Sequence, residues 1–443
     1  MDESVERVLG RVWHDEAPWD LLSSLAELDD RFGGHPGEAV AADRVADAFE
    51  TAGLADVRQD SFELLRWTRG STTLTVSTDR GERTFEALAL PYSPSGDVSG
   101  PLVDVGHGLP STVAERDVEG AVVVANVETP QDADRRVHRM EKVGHAAEAG
   151  AAAFLFVNDR PGQLPPTGAL RFGDEAAIPG VGVSAETGAW LREYADEGAT
   201  AHVRVEATTD RAESQNVRAA LGPETDDAVL VLAHYDAHDV GEGALDNGCG
   251  VGVLVGAVRA LARLDLECRV EVAATGCEEV GLLGSEALAE RIDTDRLRAV
   301  VNVDGAGRFR DLQAFTHASG SVRHVVESVA AAADQPVGIR QRPHAYSDHW
   351  PFLRRGVPAV QLHSAPADDD GHWTRGWTHT RADTREKVDR RNVREHAMLA
   401  TLLVRALTEQ EVAVDTATVR EHLDAAGAEP GMRAAGVWPS DWE

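Results

Sequence analysis

Apolar residues fall into two rhythms along the 443-residue chain. From residue 214 onward, short continuous apolar runs alternate with segments whose apolar positions recur every three or four residues. The runs are 228–233 (AVLVLA), 269–275 (RVEVAAT), 299–303 (AVVNV), 312–316 (LQAFT) and 358–363 (PAVQLH). Helical spacing marks 247–264, where Val251, Leu254, Val255, Val258 and Leu261 share one face, and also 283–292, 321–333 and 387–409. Strands without a polar face are buried on both sides. Their alternation with helices predicts a three-layer α/β fold, a mostly parallel sheet with helices on both faces.

The first two hundred residues differ. Residues 21–32 and 37–52 read as helices, the second stopping at Gly53, and alternating stretches follow near 57–67 and 72–88. The turn-rich segment PYSPSGDVSGP (91–101) reads as a boundary. Beyond it, strands near 121–127, 152–158, 178–184 and 202–207, with a small-residue helix at 143–151, predict a separate β-rich α+β unit. The expected organisation is therefore 1–95 as the first part of the main domain, 96–210 as an insertion, 211–410 as the main domain and 411–443 as a helix and tail. No internal repeat or low-complexity tract interrupts it.

Polar residues gather where these strands end. His234-Tyr235-Asp236 follows the first run, Glu278-Glu279 the second and Asp304 the third, and Asp246 sits in GALDNG at the start of the 247–264 helix. His372 and His379 lie in the loop after the last run. Open α/β sheets bind ligands beyond their strand carboxyl ends, so these residues are expected on one edge. With 17 His and 75 Asp+Glu in the chain, any single pair is unremarkable. Acids recurring after successive buried strands are different, because a buried carboxylate is costly unless paired or coordinating. Two His with three carboxylates suit two divalent ions, zinc foremost, with one carboxylate bridging. Asp246, in its glycine-flanked loop, is the natural bridge. Of Glu278 and Glu279, one can ligate while the other takes a proton from water. The spacing of His234 and Asp236 suits a carboxylate that orients the imidazole. His238 is expected to support the site. No GxGxxG and no GxSxG occurs, which removes a dinucleotide loop and a serine nucleophile elbow.

Charge narrows the partners. There are 43 Lys+Arg against 75 Asp+Glu, a net −32, and only Lys142 and Lys387 are lysines. This balance argues against nucleic acid and anionic membranes as partners, and an acidic, lysine-poor surface suits a halophilic protein in concentrated salt. No apolar run near eighteen residues suggests a membrane span, and the first twenty residues carry no signal-peptide pattern. With three clustered cysteines (Cys249, Cys268, Cys277), a reduced, cytoplasmic setting is the expectation, with secretion by another route left open.

The blocks HYD (234–236), GALDNG (243–248), CEEVGLLGS (277–285), VNVDG (301–305), SDHWPFLRRGVPAV (347–360) and HTRADTREK (379–387) resemble, in order, the signatures of metallopeptidase family twenty-eight. The region 102–208, with AVVVANV, EAGAAAFLFVND and IPGVGVS, resembles the protease-associated domain inserted in such enzymes. The resemblance implies two Zn2+ per chain, one held by His234, Asp246 and Asp304, the other by Asp246, Glu279 and His379. It implies Glu278 as general base, Asp236 as the partner of His234, and a cis peptide bond between Asp246 and Asn247. It places Tyr346, Asp348 and His349 near the wall of the site, as candidates to touch substrate. The activity implied is a zinc exopeptidase, an aminopeptidase using a metal-bridging hydroxide on peptide or dipeptide substrates. The alternatives are a carboxypeptidase or dipeptidase of the plasma glutamate carboxypeptidase type, which PPTGALRF (165–172) and HDVGEGALDNG (238–248) resemble, a single-metal cyclase of the same fold, or a non-catalytic binding homologue. A homo-oligomer is possible within the family. Cys249 and Cys277 depart from the family's usual small residues and are expected to act as apolar filler.

Overall fold

The computed structural model describes residues 3–366 and 375–442; His372, a competing ligand candidate in the sequence, lies outside them. The chain forms two compact units. One comprises 1–64, 213–371 and 383–425, the other 65–212, 372–382 and 426–443.

The first unit is built on a mixed sheet. Its strand order is Gly338–Arg340, Asp311–Phe315, Ala359–Ala365, Leu297–Val303, Ala228–His234, Arg269–Thr275 and the end of Thr200–Leu221. The central strands are parallel, and the antiparallel pairings come at Asp311–Phe315 and at the end of Thr200–Leu221. Register aligns the strand ends: His234 lies opposite Thr275, and Val303 opposite Leu362. The residues that follow each strand therefore emerge at one edge.

The helix Cys249–Leu261 is apolar on all sides, and of its residues all but Arg259 are buried. It packs against Arg390–Glu409 and Ala17–Ala26. The 18-residue span Ala244–Leu261 is long and apolar enough to cross a membrane, which the sequence reading missed, but 94% of it is buried within the fold. It is a core helix.

The helix expected at 21–32 runs instead over Ala17–Ala26, with a proline in its first turn. The chain leaves the helix before 29–38 because that segment is docked elsewhere. Asp30 takes a positive φ of 57°, and a Cβ on Gly33 would stand 2.9 Å from both Cys277 Sγ and Val280 Cγ2. The helix Pro36–Thr51 resumes close to expectation. The helix Glu3–His14 was not foreseen.

The second unit carries the strands Leu88–Ala89, Gly96–Asp104, Val122–Asn126, Ala153–Val157 and Gly180–Val183, with the start of Thr200–Leu221. Three successive parallel pairings join Gly96–Asp104 through to Gly180–Val183. Phe154, Phe156, Val123, Leu170 and Val143 fill its core. The expected insertion, 96–210, lies within this unit, which also takes in residues from 65 and 426–443, with Glu429–Ala435 packed on Arg139–Glu148. The sequence reading also broke the strand Ala55–Thr78 in two near Gly70. The strand continues there, because a Cβ on Gly70 would lie 2.4 Å from Glu206 O: the glycine permits close backbone approach rather than a turn. Reversal comes at Asp79–Arg80, with Thr78 opposite Gly81.

Lys142, one of two lysines, is fully buried here. Its ammonium donates to the carbonyls of Asn126, Val127 and Glu128 at 3.0, 2.9 and 3.1 Å. Burial pushes its pKa down to about 7, and three carbonyl acceptors match its three N–H donors.

Candidate active site

His234 ends its strand and Asp236 follows two residues later, both buried. Asp236 Oδ1 lies 3.2 Å from His234 Nδ1. The same carboxylate accepts the backbone N–H of Glu278 on Oδ1 and of Glu279 on Oδ2, each at 3.1 Å. One side chain thus orients the imidazole and carries the turn bearing the two glutamates. His234 Nε2 then faces Asp246 Oδ1 at 3.4 Å and Asp304 Oδ1 at 4.0 Å. Burial works against a charge on His234, but Glu278, Asp236 and Asp246 outweigh it and hold its pKa well above the ordinary value.

Asp246 sits on a short irregular turn, and its bond to Asn247 is cis, as the resemblance implies. The carboxylate of Asp383 accepts the N–H groups of Leu245 and Asp246 at 2.6 and 3.0 Å. Asn247 ties the turn to the neighbouring strand, donating to Val303 O at 2.8 Å and accepting from Gly305 N at 3.1 Å. Asp304 is held through Oδ2, which accepts from Ser347 Oγ at 2.6 Å and Gln361 Nε2 at 3.1 Å. That leaves Oδ1 turned toward His234. The Arg308 guanidinium joins both acids. Nη2 is 2.6 Å from Asp246 Oδ1 and 3.4 Å from Asp304 Oδ1, and Nε donates to Leu245 O at 2.6 Å.

Glu278 is half-buried. Burial raises its pKa well above the ordinary range; Glu279, Asp304 and Asp348 add to this, and His234 opposes it. A half-buried carboxyl beside the candidate ligands is placed for proton transfer. Glu279 is buried and lies 3.0 Å, through Oε2, from His238 Nε2. The His238 ring stacks on Phe32 at 5.7 Å.

Asp348 and His349 are both wholly buried. Asp348 Oδ2 accepts from Thr275 Oγ1 at 2.5 Å, and burial pushes its pKa up to about 6. His349 lies between Asn302 Nδ2 at 3.2 Å and His344 O at 2.7 Å, with the His317 ring stacked 4.1 Å away. Burial drives its pKa down to about 4. Tyr346 is half-buried, edge-on to His344 at 6.0 Å.

His379 belongs to the second unit. Its carbonyl accepts from Thr167 N at 2.9 Å, its Nδ1 lies 3.3 Å from Thr167 O, and its Nε2 is 2.6 Å from Arg375 Nη1.

Besides Arg308, three charged residues of this region were not singled out from the sequence: Arg31, Glu38 and Asp383. Arg31 is buried and donates to Gly243 O at 2.8 Å. Burial lowers its pKa to about 10 against the pull of Asp383, Asp236, Asp246 and Glu279. Glu38 accepts from Gly34 N at 2.6 Å, Ser214 Oγ at 2.8 Å and Cys277 N at 3.0 Å, and burial together with Asp236 raises its pKa to about 8. A Cβ on Gly276 would stand 2.7 Å from Glu38 Oε1, so this acid fixes the loop that leads into Glu278. The signal in the sequence is RFGGHPGE (31–38), charged residues flanking a glycine-rich break between helices. Cys249 and Cys277 are buried and their thiols are pushed up by burial, to about 12 for Cys249, in keeping with a filler role.

The donors fit zinc. Ligand atoms about 2.0–2.2 Å from a tetrahedral zinc lie roughly 3.3–3.6 Å apart, and His234 Nε2 to Asp246 Oδ1 is 3.4 Å. His234, Glu278 and Asp304 bring ligand atoms within 4.8 Å of one another. An imidazole among carboxylates is an ordinary zinc donor set.

Comparison with known proteins agrees. The model of peptidase family M28 matches residues 216–404, and that of the PA domain matches 98–191. Aminopeptidase YwaD of Bacillus subtilis is 28% identical over 283 residues, covering 61% of this chain and 60% of that one. A probable lipoprotein aminopeptidase, LpqL, of Mycobacterium tuberculosis is 32% identical over 294 residues, covering 63% and 55%. The chain thus spans under two thirds of the length of these two curated relatives. Among solved structures, an aminopeptidase from Aneurinibacillus sp. strain AM-1 aligns with a TM-score of 0.70 at 25% identity, over 93% of this chain and 97% of that one. A zinc aminopeptidase from Bacillus subtilis aligns with a TM-score of 0.70 at 25% identity, over 88% and 94%.

Proposed function

From a chain that belongs to peptidase family M28 and carries a PA domain, we infer a zinc aminopeptidase that removes residues from the free amino end of peptides. The observation that carries this reading is the convergence of His234 Nε2, Asp246 Oδ1 and Asp304 Oδ1 beside Glu278. The aminopeptidases among the relatives and solved structures support the choice of reaction.

His234, Asp246 and Asp304 would hold one zinc, and Asp246 and Glu279 would contribute to a second. His379 enters as a ligand of the second on the resemblance of its sequence block alone. Zinc at these residues would supply Lewis-acid polarisation of the scissile carbonyl and of water. The chain's own part begins with Glu278. Its carboxylate takes the proton of the attacking water and passes it to the departing amine. Asp236 keeps His234 Nδ1 occupied, so that Nε2 remains the donor toward the ligand set. Through the two amides it accepts, it also sets Glu278 and Glu279 in register with each other. Ser347 and Gln361 hold one oxygen of Asp304, leaving the other to ligate.

The test is metal content and hydrolysis of amino-acyl p-nitroanilides in molar salt, on the full chain and on Glu278→Gln and His379→Ala. Two zincs per chain are expected, with Glu278→Gln keeping both while activity falls about 10²–10⁴-fold. His379→Ala is expected to lose one zinc. Cleavage from the carboxyl end instead would replace the aminopeptidase reading, and a chain that binds no zinc would end the metal reading altogether.

A further inference from the structure

The mechanism above gives Arg308 nothing to do, yet Arg308 touches the ligand set directly. It is a largely buried cation whose Nη2 is 2.6 Å from Asp246 Oδ1 and 3.4 Å from Asp304 Oδ1. These are the two carboxylate oxygens that also face His234 Nε2. Its Nε is anchored on Leu245 O, in the same turn as Asp246. The side chain is only 10% exposed, so solvent screens its charge weakly. Oδ2 of Asp304 already accepts from Ser347 and Gln361, and the N–H groups of Leu245 and Asp246 are held by Asp383. The Asp304 carboxylate and the backbone of the turn that bears Asp246 are therefore held by other residues. What Arg308 adds at the two Oδ1 atoms is charge.

We propose that Arg308 is a built-in countercharge for the zinc-ligand carboxylates, which keeps the metal-free protein folded and weakens zinc binding in exchange. The proposal rests on the reading that His234, Asp246 and Asp304 hold zinc. The physical argument is a cycle. Removing one partner of a buried ion pair is strongly destabilising, because the remaining charge stays buried and unpaired. In the metal-free protein, loss of the guanidinium leaves Asp246 and Asp304 in that condition. In the zinc-loaded protein the metal supplies the positive charge, so the loss matters less. A change that destabilises the metal-free form more than the loaded form must tighten zinc binding by the difference. Coulomb repulsion between guanidinium and zinc acts in the same direction.

The experiment uses the full chain and two variants, Arg308→Met, which keeps the length of the side chain, and Arg308→Lys, which keeps the charge. Each is stripped with a chelator and then titrated with zinc against a chromophoric competitor, and thermal unfolding is followed with and without metal. The expected result for Arg308→Met is a lower unfolding midpoint without metal, a smaller drop with zinc, and a zinc dissociation constant lower by on the order of tenfold. Arg308→Lys restores most of the metal-free midpoint. Should Arg308→Met fold only when zinc is added, the proposal is supported in its strongest form. Equal drops with and without zinc, or weaker zinc binding in Arg308→Met, overturn it, since either makes Arg308 a packing or orienting residue. Failure to fold even with zinc overturns it as well. If the unmodified chain binds no zinc, it is the functional reading that fails, and that outcome is seen before any variant is compared.

Discussion

Asp236 carries the backbone of Glu278: its Oδ1 accepts the Glu278 N–H at 3.1 Å. The other oxygen accepts from Glu279, and the carboxylate also faces His234 Nδ1 at 3.2 Å. Three donors thus converge on one buried acid. Asn at this position has a single acceptor oxygen and sets an N–H2 group against a donor. Asp236→Asn is expected to lower zinc affinity or activity about 10–100-fold, with the fold retained by circular dichroism. Activity and zinc affinity within twofold of the unmodified protein would show that this network does not tune the site.

Lys142 is a separate test, confined to the second unit. Its three bonds close the end of the strand Val122–Asn126 onto the helix Arg139–Glu148. Hydrogen bonds from a charged donor each contribute about 1.5–3 kcal/mol, though not additively. Lys142→Met is expected to cost roughly 3 kcal/mol of that unit's stability and to speed proteolysis near 126–137, while zinc content in the first unit is unchanged. An unaltered cleavage pattern would mean the carbonyls are satisfied in another way.

Stability should fall toward acid pH partly because of His396. Its ring is wholly buried, accepting from Gly307 N at 2.8 Å and bonded to Arg310 O at 2.9 Å. Burial lowers its pKa from 6.5 to about 4. Between these values the unfolded chain binds the proton and the folded chain does not. The contribution is therefore complete above about pH 6.5 and is lost as pH falls toward 4, at up to about 1.4 kcal/mol per pH unit. Buried carboxylates with raised pKa, such as Glu38, act with the opposite sign, so the comparison is made against His396→Gln. That variant is expected to show a flatter fall in denaturant-measured stability from pH 6.5 to 4.5, and parallel curves would remove His396 as a cause.

The acidic surface sets the salt response. A net charge of −32 repels itself across a screening length of about 30 Å at 0.01 M salt and about 3 Å at 1 M. The unfolding midpoint is expected to rise between 0.05 M and 1 M KCl, with most of the gain at the low end. A flat response would mean that the arginine- and acid-rich composition is not an adaptation to salt.

Much of the site could be read along the chain because strand periodicity also determines where a strand stops. Apolar runs buried on both faces mark the central strands, and an acid or His directly after each is then at one edge of the sheet. His234, Glu278, Glu279 and Asp304 follow from that logic, with Asp246 in the loop beside them, and register brings the ends of their strands to neighbouring positions. The cis bond at Asp246 and the division into peptidase and PA regions came from the order of sequence blocks, since no local physics of those residues implies them. Arg31, Glu38, Asp383 and Arg308 were beyond that reach. Charge on a sequence has no direction: Glu38 is one of 75 acids until Gly34, Ser214 and Cys277 are brought to it from three parts of the chain. The same limit left a gap between the stretches near 57–67 and 72–88, where Gly70 admits a neighbouring backbone and the strand runs on. Periodicity reports which face of an element is buried. Which buried charges meet, and which glycines are contacts rather than turns, depends on segments far apart in sequence, and only the folded chain decides it.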